Sequence, residues 1–214
     1  MKGLRALSLS QPWAWCMTIP QPPERKDVEN RTWPCPASMI GKRFAIHAAK
    51  SWDERGASMM YAEGLHFPPK ATITRGAIVA LATIDHVVIA HKPPPGSSYR
   101  HAATLPESQK RWFFGPYGYV FVRLAVLPRP VTVAGMQGFW TVPEPIVEDI
   151  ENQLVAHAQE WCIGHCTYTP ARTLAIVEAV KRTGRHGREL DDAAWSAASD
   201  HGTPPDKFFA EVGP

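Results

Sequence analysis

Leu4-Arg5-Ala6-Leu7-Ser8-Leu9-Ser10-Gln11-Pro12-Trp13-Ala14 opens the chain, and Lys26-Asp27-Val28-Glu29-Asn30-Arg31-Thr32-Trp33 follows after a proline-rich gap. Residues 4 to 9 alternate apolar and polar, the period of a half-buried strand. Ser10 is then placed to cap a short helix with Pro12 in its first turn, and the pattern carries that helix to about Ile19. Pro20-Gln21-Pro22-Pro23 cannot continue it, because proline lacks an amide hydrogen and biases its predecessor towards extended geometry. The loop delivers residues 26 to 33 as an extended segment. Side chains two apart on such a segment share a face. Glu29, Arg31 and Trp33 therefore point one way and Lys26 and Val28 the other, unless the proline loop bends the chain at Lys26.

Further along, Gly41 to Ala48 reads as a strand, and Ser51-Trp52-Asp53-Glu54 has the spacing of a capping box that starts a helix running to about Gly64. Gly76 to Ile84 is apolar and β-branched enough for a buried strand, and Tyr117 to Leu127 favours strand through its Val, Phe and Tyr content. The Pro93–Ser98 stretch between them is a loop on composition. After Pro145 the pattern changes: Ile146, Val147, Ile150, Leu154, Ala158 and Trp161 recur at helical spacing. A second helical run covers Ala171 to Arg182, and a last short helix is expected at Asp206 to Val212. These elements predict an α+β fold, a small curved sheet or β-barrel with flanking helices over residues 1–143, and a mostly helical extension over 144–214.

Charge divides the chain at the same place. Residues 1–143 hold 17 Lys and Arg against 8 Asp and Glu, a balance of +9, whereas residues 144–214 hold 6 against 12, a balance of −6. A basic domain attracts polyanions whatever their sequence, so nucleic acid is the leading partner class, with plain solubility the other explanation. The acidic extension could dock a protein partner or cover the basic part. No stretch reaches the roughly 18 apolar residues of a membrane span, and Trp13 and Gln11 interrupt the N-terminus before a signal-peptide core could develop, so the expected location is the cytoplasm. Cys16, Cys35, Cys162 and Cys166 are too few for a disulfide scaffold. The C-x3-C spacing of Cys162 and Cys166 lacks a matching second pair, which argues for buried thiols and against a metal site.

Taken together, Ala6 to Ala14, the Lys26-x-x-Glu29-x-Arg31-x-Trp33 segment and Ile46-His47-Ala48 resemble the opening of ASCH domains, members of the PUA-like superfamily. Arg75 to Ala80 is similar to the next strand of that family, and Gly115 to Val120 with Gly135 to Trp140 to its closing strands. The resemblance spans about residues 4 to 143 in consistent order. It implies a barrel-like fold with a cleft for nucleic acid or nucleotides, lined by the K-x-x-E-x-R segment. Two departures stand out. A glycine commonly precedes the motif as G-x-K, where this chain has Glu24-Arg25-Lys26 after its proline insertion. Some small bacterial ASCH proteins hydrolyse the amide of 4-acetylcytidine with a lysine, a threonine three positions later and a separate glutamate; Glu29 stands in the place of that threonine.

The expected function is binding of RNA, another single-stranded nucleic acid or a nucleoside. Gln11, Trp13, Lys26, Glu29, Arg31, Trp33, His47 and Tyr117 are the candidate contacts. Arginine and lysine can hold phosphate, glutamate can accept from a base amine, and tryptophan can stack. Each has a plainer reading: Glu29 with Arg31 as a surface salt bridge, Trp13, Trp33 and Trp140 as core, His47 as a satisfied strand residue, and Gln11 as a cap. The alternative function is a hydrolase of RNA or of a modified nucleoside with Lys26 and Glu29 as the proton-transfer pair. No cofactor is implied for binding; a ribonuclease could use a divalent metal.

Overall fold

β1 (Arg5–Gln11) leads into a helix of little more than one turn, α1 (Trp13–Met17). The computed structural model describes residues 1, 3–19 and 25–164. The helices expected over 171–182 and 206–212, and His165 and Cys166 of the cysteine motif, lie outside the described residues.

The alternation in β1 places Leu7 and Leu9 in the core while Ser8 and Ser10 stay half-buried on the other face. Ser10 does not cap α1, which has no side-chain cap at Pro12. Gln11 does related work instead: its Oε1 accepts from the Trp15 amide at 2.9 Å and its Nε2 donates to the Thr74 carbonyl at 2.7 Å. An orphan helix-start amide is thereby satisfied by the side chain that ends the strand.

The remaining elements are β2 (Val28–Arg31), β3 (Arg43–Trp52), α2 (Glu54–Ala62), β4 (Ala77–Ile89), β5 (Arg100–His101), α3 (Glu107–Lys110), β6 (Tyr117–Thr132), β7 (Phe139–Thr141) and α4 (Glu144–Gly164). The seven strands form one mixed sheet in the order β2-β6-β4-β3-β1-β7, with β5 on β4. β1 and β3 run parallel, β5 continues parallel along the edge of β4 that β3 leaves, and the other pairings are antiparallel. The sheet is the expected small curved one, curled into a half-barrel. Bulges contribute to the curl. Between the pairs Leu81–Ala125 and Thr83–Val122, β6 carries one residue more than β4, and Arg123 sits there at φ 52°. An extra residue in left-handed geometry bends a strand and raises its twist. Val122 and Arg123 are consequently exposed in succession, which resets the alternation.

The core lies in two clusters. One packs Leu7, Leu9, Phe44, Ile46, Tyr119 and Phe121 from the sheet, with the Phe44 and Phe121 rings edge to face at 5.0 Å. The other gathers Trp13, Cys16, Val28, Met60, Leu105 and Trp112. Asp53, not Ser51, caps α2, accepting from the Gly56 amide at 2.9 Å, because β3 extends through Ser51 and Trp52. The bulges, β5, α3 and the single 3-10 turns at Ala37–Met39 and Ala102–Thr104 had no counterpart in the sequence pattern.

By internal contacts the chain divides into two units. One comprises Leu4–Val126 and Pro130–Val142; the other gathers Met1–Gly3, Leu127–Arg129 and the chain from Pro143. In the second unit, α4 starts with Pro145 in its first turn and buries Val147, Ile150 and Leu154 along one stripe. The N-terminal ammonium pairs with Glu151, and the Arg129 amide donates to Gln153.

One polar network crosses β1, β3 and β7. Ser8 Oγ accepts from Trp140 Nε1 at 3.1 Å and lies 3.1 Å from His47 Nδ1 and 3.0 Å from the Met136 carbonyl. His47 Nε2 lies 3.1 Å from the Val133 carbonyl, which can only accept. Nε2 therefore carries the proton, while the single hydroxyl hydrogen of Ser8 goes to the Met136 carbonyl and its oxygen stands against Nδ1. Gly135 closes over the ring, since a Cβ there would stand 2.3 Å from it. Burial lowers the His47 pKa from 6.5, partly offset by the Val133 hydrogen bond. The unfolded chain thus takes up a proton near pH 6.5 before the folded one does. Stability from this group is full above that pH and falls as pH drops below it. Urea titrations across this window should show stability declining with acidity, and His47→Gln should flatten that part of the slope; an unchanged slope would mean that His47 does not carry it.

Candidate functional site

Lys26 is turned inward by its neighbours. Its amide donates to the Cys16 carbonyl at the end of α1, the Asp27 amide donates to Gln109 Oε1 at 2.8 Å, and Gln109 Nε2 donates back to the Arg25 carbonyl at 2.9 Å. The Asp27 carbonyl accepts from Phe121, after which β2 pairs with β6 from Val28 onward. The chain bends at Lys26, so its side chain joins the face of Glu29 and Arg31. Lys26 Nζ meets Glu29 Oε2 at 2.6 Å, and Arg31 Nη2 meets Glu29 Oε1 at 3.2 Å. Arg31 Nη2 also donates to the Ser8 carbonyl at 2.8 Å.

This array is internal. Lys26 is 1% exposed and Glu29 7%, so the lysine of the segment expected to line a cleft is enclosed. Desolvating two charges is repaid only when each is well paired, and here one carboxylate serves two cations. Arg31 Nε is buried without a partner. Lys26 Nζ also stands 5.4 Å from the Trp13 ring centroid, within range of its π face.

Around the array lies a cavity of about 250 Å³ lined by Ser10, Trp13, Asn30, Asp53 and Phe114 together with Lys26, Glu29 and Arg31. Trp13 lies against the start of α2. Its Nε1 donates to Asp53 Oδ2 at 2.8 Å, and a Cβ on Gly56 would stand 2.4 Å from its ring. Asp53 is held below the ordinary carboxylate range: burial alone would raise it, but the bonds from Gly56, Trp13 and Arg55 together outweigh that. Asn30 fixes the opposite wall, its Oδ1 accepting from the Phe114 and Gly115 amides and its Nδ2 donating to the Trp112 carbonyl. The Phe114 ring is 55% exposed and stands 5.3 Å from Trp13, tilted by 44°. Lys26 and Arg31 are balanced by Glu29 and Asp53, so the cavity is formally neutral although its domain is basic.

Of the candidate contacts, Trp13, Lys26, Glu29 and Arg31 come together here. Gln11, Trp33, His47 and Tyr117 do not line this cavity. Gln11 is 2% exposed with both ends of its amide used by the framework. Trp33 packs edge to face on Tyr119 and Phe139, and Tyr117 on Tyr99. His47 lines a second cavity of about 490 Å³ with Ser8, Lys50 and Met136. Ser10, Asn30, Asp53 and Phe114 escaped the sequence reading. The signal for Phe114 was the aromatic run Trp112-Phe113-Phe114 directly before Gly115-Pro116; for the others there was none.

Among the described residues, no three His, Cys, Asp or Glu side chains are grouped to hold a metal ion. Cys16 and Cys35 are buried free thiols, pushed up to about 12 and about 11 by burial; for Cys16 the nearby Lys26 and Arg111 only partly offset it. No helix among the described residues is long and apolar enough to cross a membrane. No protein-family model matches the sequence, and a search of curated proteins returns no match.

The pairing makes a stability forecast opposite to that for a surface site. Glu29→Gln would leave two cations facing each other without a counter-charge and should cost about 3–5 kcal/mol, whereas Lys26→Met should cost less because Arg31 still balances Glu29. Urea unfolding of the two variants tests the order. Near-wild-type stability for Glu29→Gln would show that the array is not structural.

Proposed function

We propose that the chain binds a nucleobase in this cavity, presented by single-stranded RNA or by a free nucleoside, as an ASCH-type domain of the PUA-like superfamily. The observation that carries the reading is the aromatic pair Trp13 and Phe114 standing over a polar floor of zero net charge. A base is a flat π system with a polar edge, and stacking on an aromatic side chain is worth about 1–3 kcal/mol per base. The edge would meet the Ser10 hydroxyl and the carboxylates of Asp53 and Glu29, which can accept from an exocyclic amine. A cavity of about 250 Å³ falls just under the usual range of about 300–1,000 Å³ for small-molecule sites, which suits one base.

The neutral floor changes the roles assigned from the sequence. Lys26 is committed to Glu29 and is enclosed, so it serves as the counter-ion that keeps the Glu29 carboxylate in place, not as a phosphate anchor. Binding is accordingly favoured over hydrolysis.

Titration of tryptophan fluorescence with the four ribonucleosides should reveal binding. Phe114→Ala should weaken it about tenfold, a loss of one stacking partner, with little change in melting temperature because the ring is half outside. Nucleoside affinity should barely respond to salt, while affinity for single-stranded RNA should fall as salt rises. Absence of nucleoside binding, or a Phe114→Ala variant that binds as well as the parent, would defeat the base reading. Release of acetate from 4-acetylcytidine by the purified protein, lost in Glu29→Gln, would replace it with the hydrolase.

A further inference from the structure

The second cavity shares a strand with the first. Ser8 lines one and Ser10 the other, both on the face of β1 opposite Leu7 and Leu9. Two residues of extended chain advance about 6.6 Å, a span comparable with one nucleotide step of an extended strand. Between them stands Arg31, which lines the first cavity and is bonded to the Ser8 carbonyl.

The two cavities differ in charge and size. The first is formally neutral. In the second, Lys50 is the charged lining residue; it is exposed and forms no ion pair among the described residues, while His47 has both ring nitrogens engaged within the sheet. Its stem is seated by Gly76, at φ 68°, where a Cβ would come within 3.2 Å of the lysine Cε. Met136, 60% exposed, forms an apolar lip beside this free ammonium. At about 490 Å³ the cavity has the volume of a small-molecule site, with a cation at its mouth and an apolar surface for a sugar or base.

We infer that the two cavities are adjacent subsites of one track for single-stranded nucleic acid, the smaller taking a base and the larger the neighbouring nucleotide, whose phosphate pairs with Lys50. The inference rests on the base reading of the first cavity. It assigns the phosphate contact to Lys50, which is free to make it, and names the ligand as a strand of at least two nucleotides.

Calorimetry with ribonucleosides, their monophosphates and the dinucleotides ApA, CpC, GpG and UpU tests it on the full chain. The best dinucleotide should bind at least about tenfold more tightly than its nucleoside and more tightly than its monophosphates, from one added stacking and one added charge contact. Lys50→Glu should abolish that gain and leave nucleoside affinity unchanged, and Met136→Ala should remove part of it. Melting curves check that both variants, altered at exposed positions, remain folded; should Lys50→Glu melt early, Met136→Ala carries the test. A dinucleotide that binds no more tightly than a monophosphate overturns the inference and spares the base reading. So does a monophosphate as sensitive to Lys50→Glu as the dinucleotide, because one nucleotide would then span both cavities. Failure of every probe to bind overturns both.

Discussion

The carboxylate of Glu29 is the hinge of this molecule. It stands between the ammonium of Lys26 and the guanidinium of Arg31 where little water reaches, and each cation needs it. Through Arg31 it reaches the backbone of β1, and through Lys26 it faces the Trp13 ring and the chain that leaves α1. Strand order puts β1 and β2 near opposite ends of a curled sheet, yet this one side chain connects them. The curl of the sheet and the placement of the charges therefore depend on each other.

Hydrogen bonding around this array explains why the aromatic walls have a defined separation. One wall is fixed by Asp53, which caps α2 and accepts from Trp13 at once. The other is fixed by Asn30, which holds a loop more than eighty positions away through three backbone groups. Each residue is held by several bonds at once and does not rearrange cheaply. A ligand entering the cavity meets a geometry formed beforehand, which spares the ordering cost that a mobile site would incur.

What could be read from the sequence, and what could not, follows the range of the interactions involved. Alternation in β1 and the helical stripe of α4 are local, and they were legible. The K-x-x-E-x-R cluster was legible in part: alternation put Glu29 and Arg31 on one face, whereas Lys26 joins them only through the bend that the alternation by itself does not give. Its burial was not legible, since that depends on the Cys16 carbonyl and on Gln109. Phe114 and Asp53 reach the site only through tertiary packing; an aromatic run marks the first in the sequence, and nothing near the second announces it. Ser51 misled as a helix cap because the capping pattern names residue types without saying where the preceding strand stops. The bulge at Arg123 was equally hidden: left-handed geometry at a non-glycine residue is imposed by the pairing of β6 with β4.

The fit between Gly56 and the Trp13 indole limits how this region can change. A hydrogen at position 56 is all the indole permits, and the same indole is bonded to the carboxylate that begins the helix. A larger residue at 56 would tilt the ring, break the Asp53 contact and release the first turn of α2 together. A smaller residue at 13 would leave that turn uncovered and the cap half satisfied. Positions 13, 53 and 56 are thus physically coupled: changing one alone passes through a weakened helix start before any alternative wall can be built.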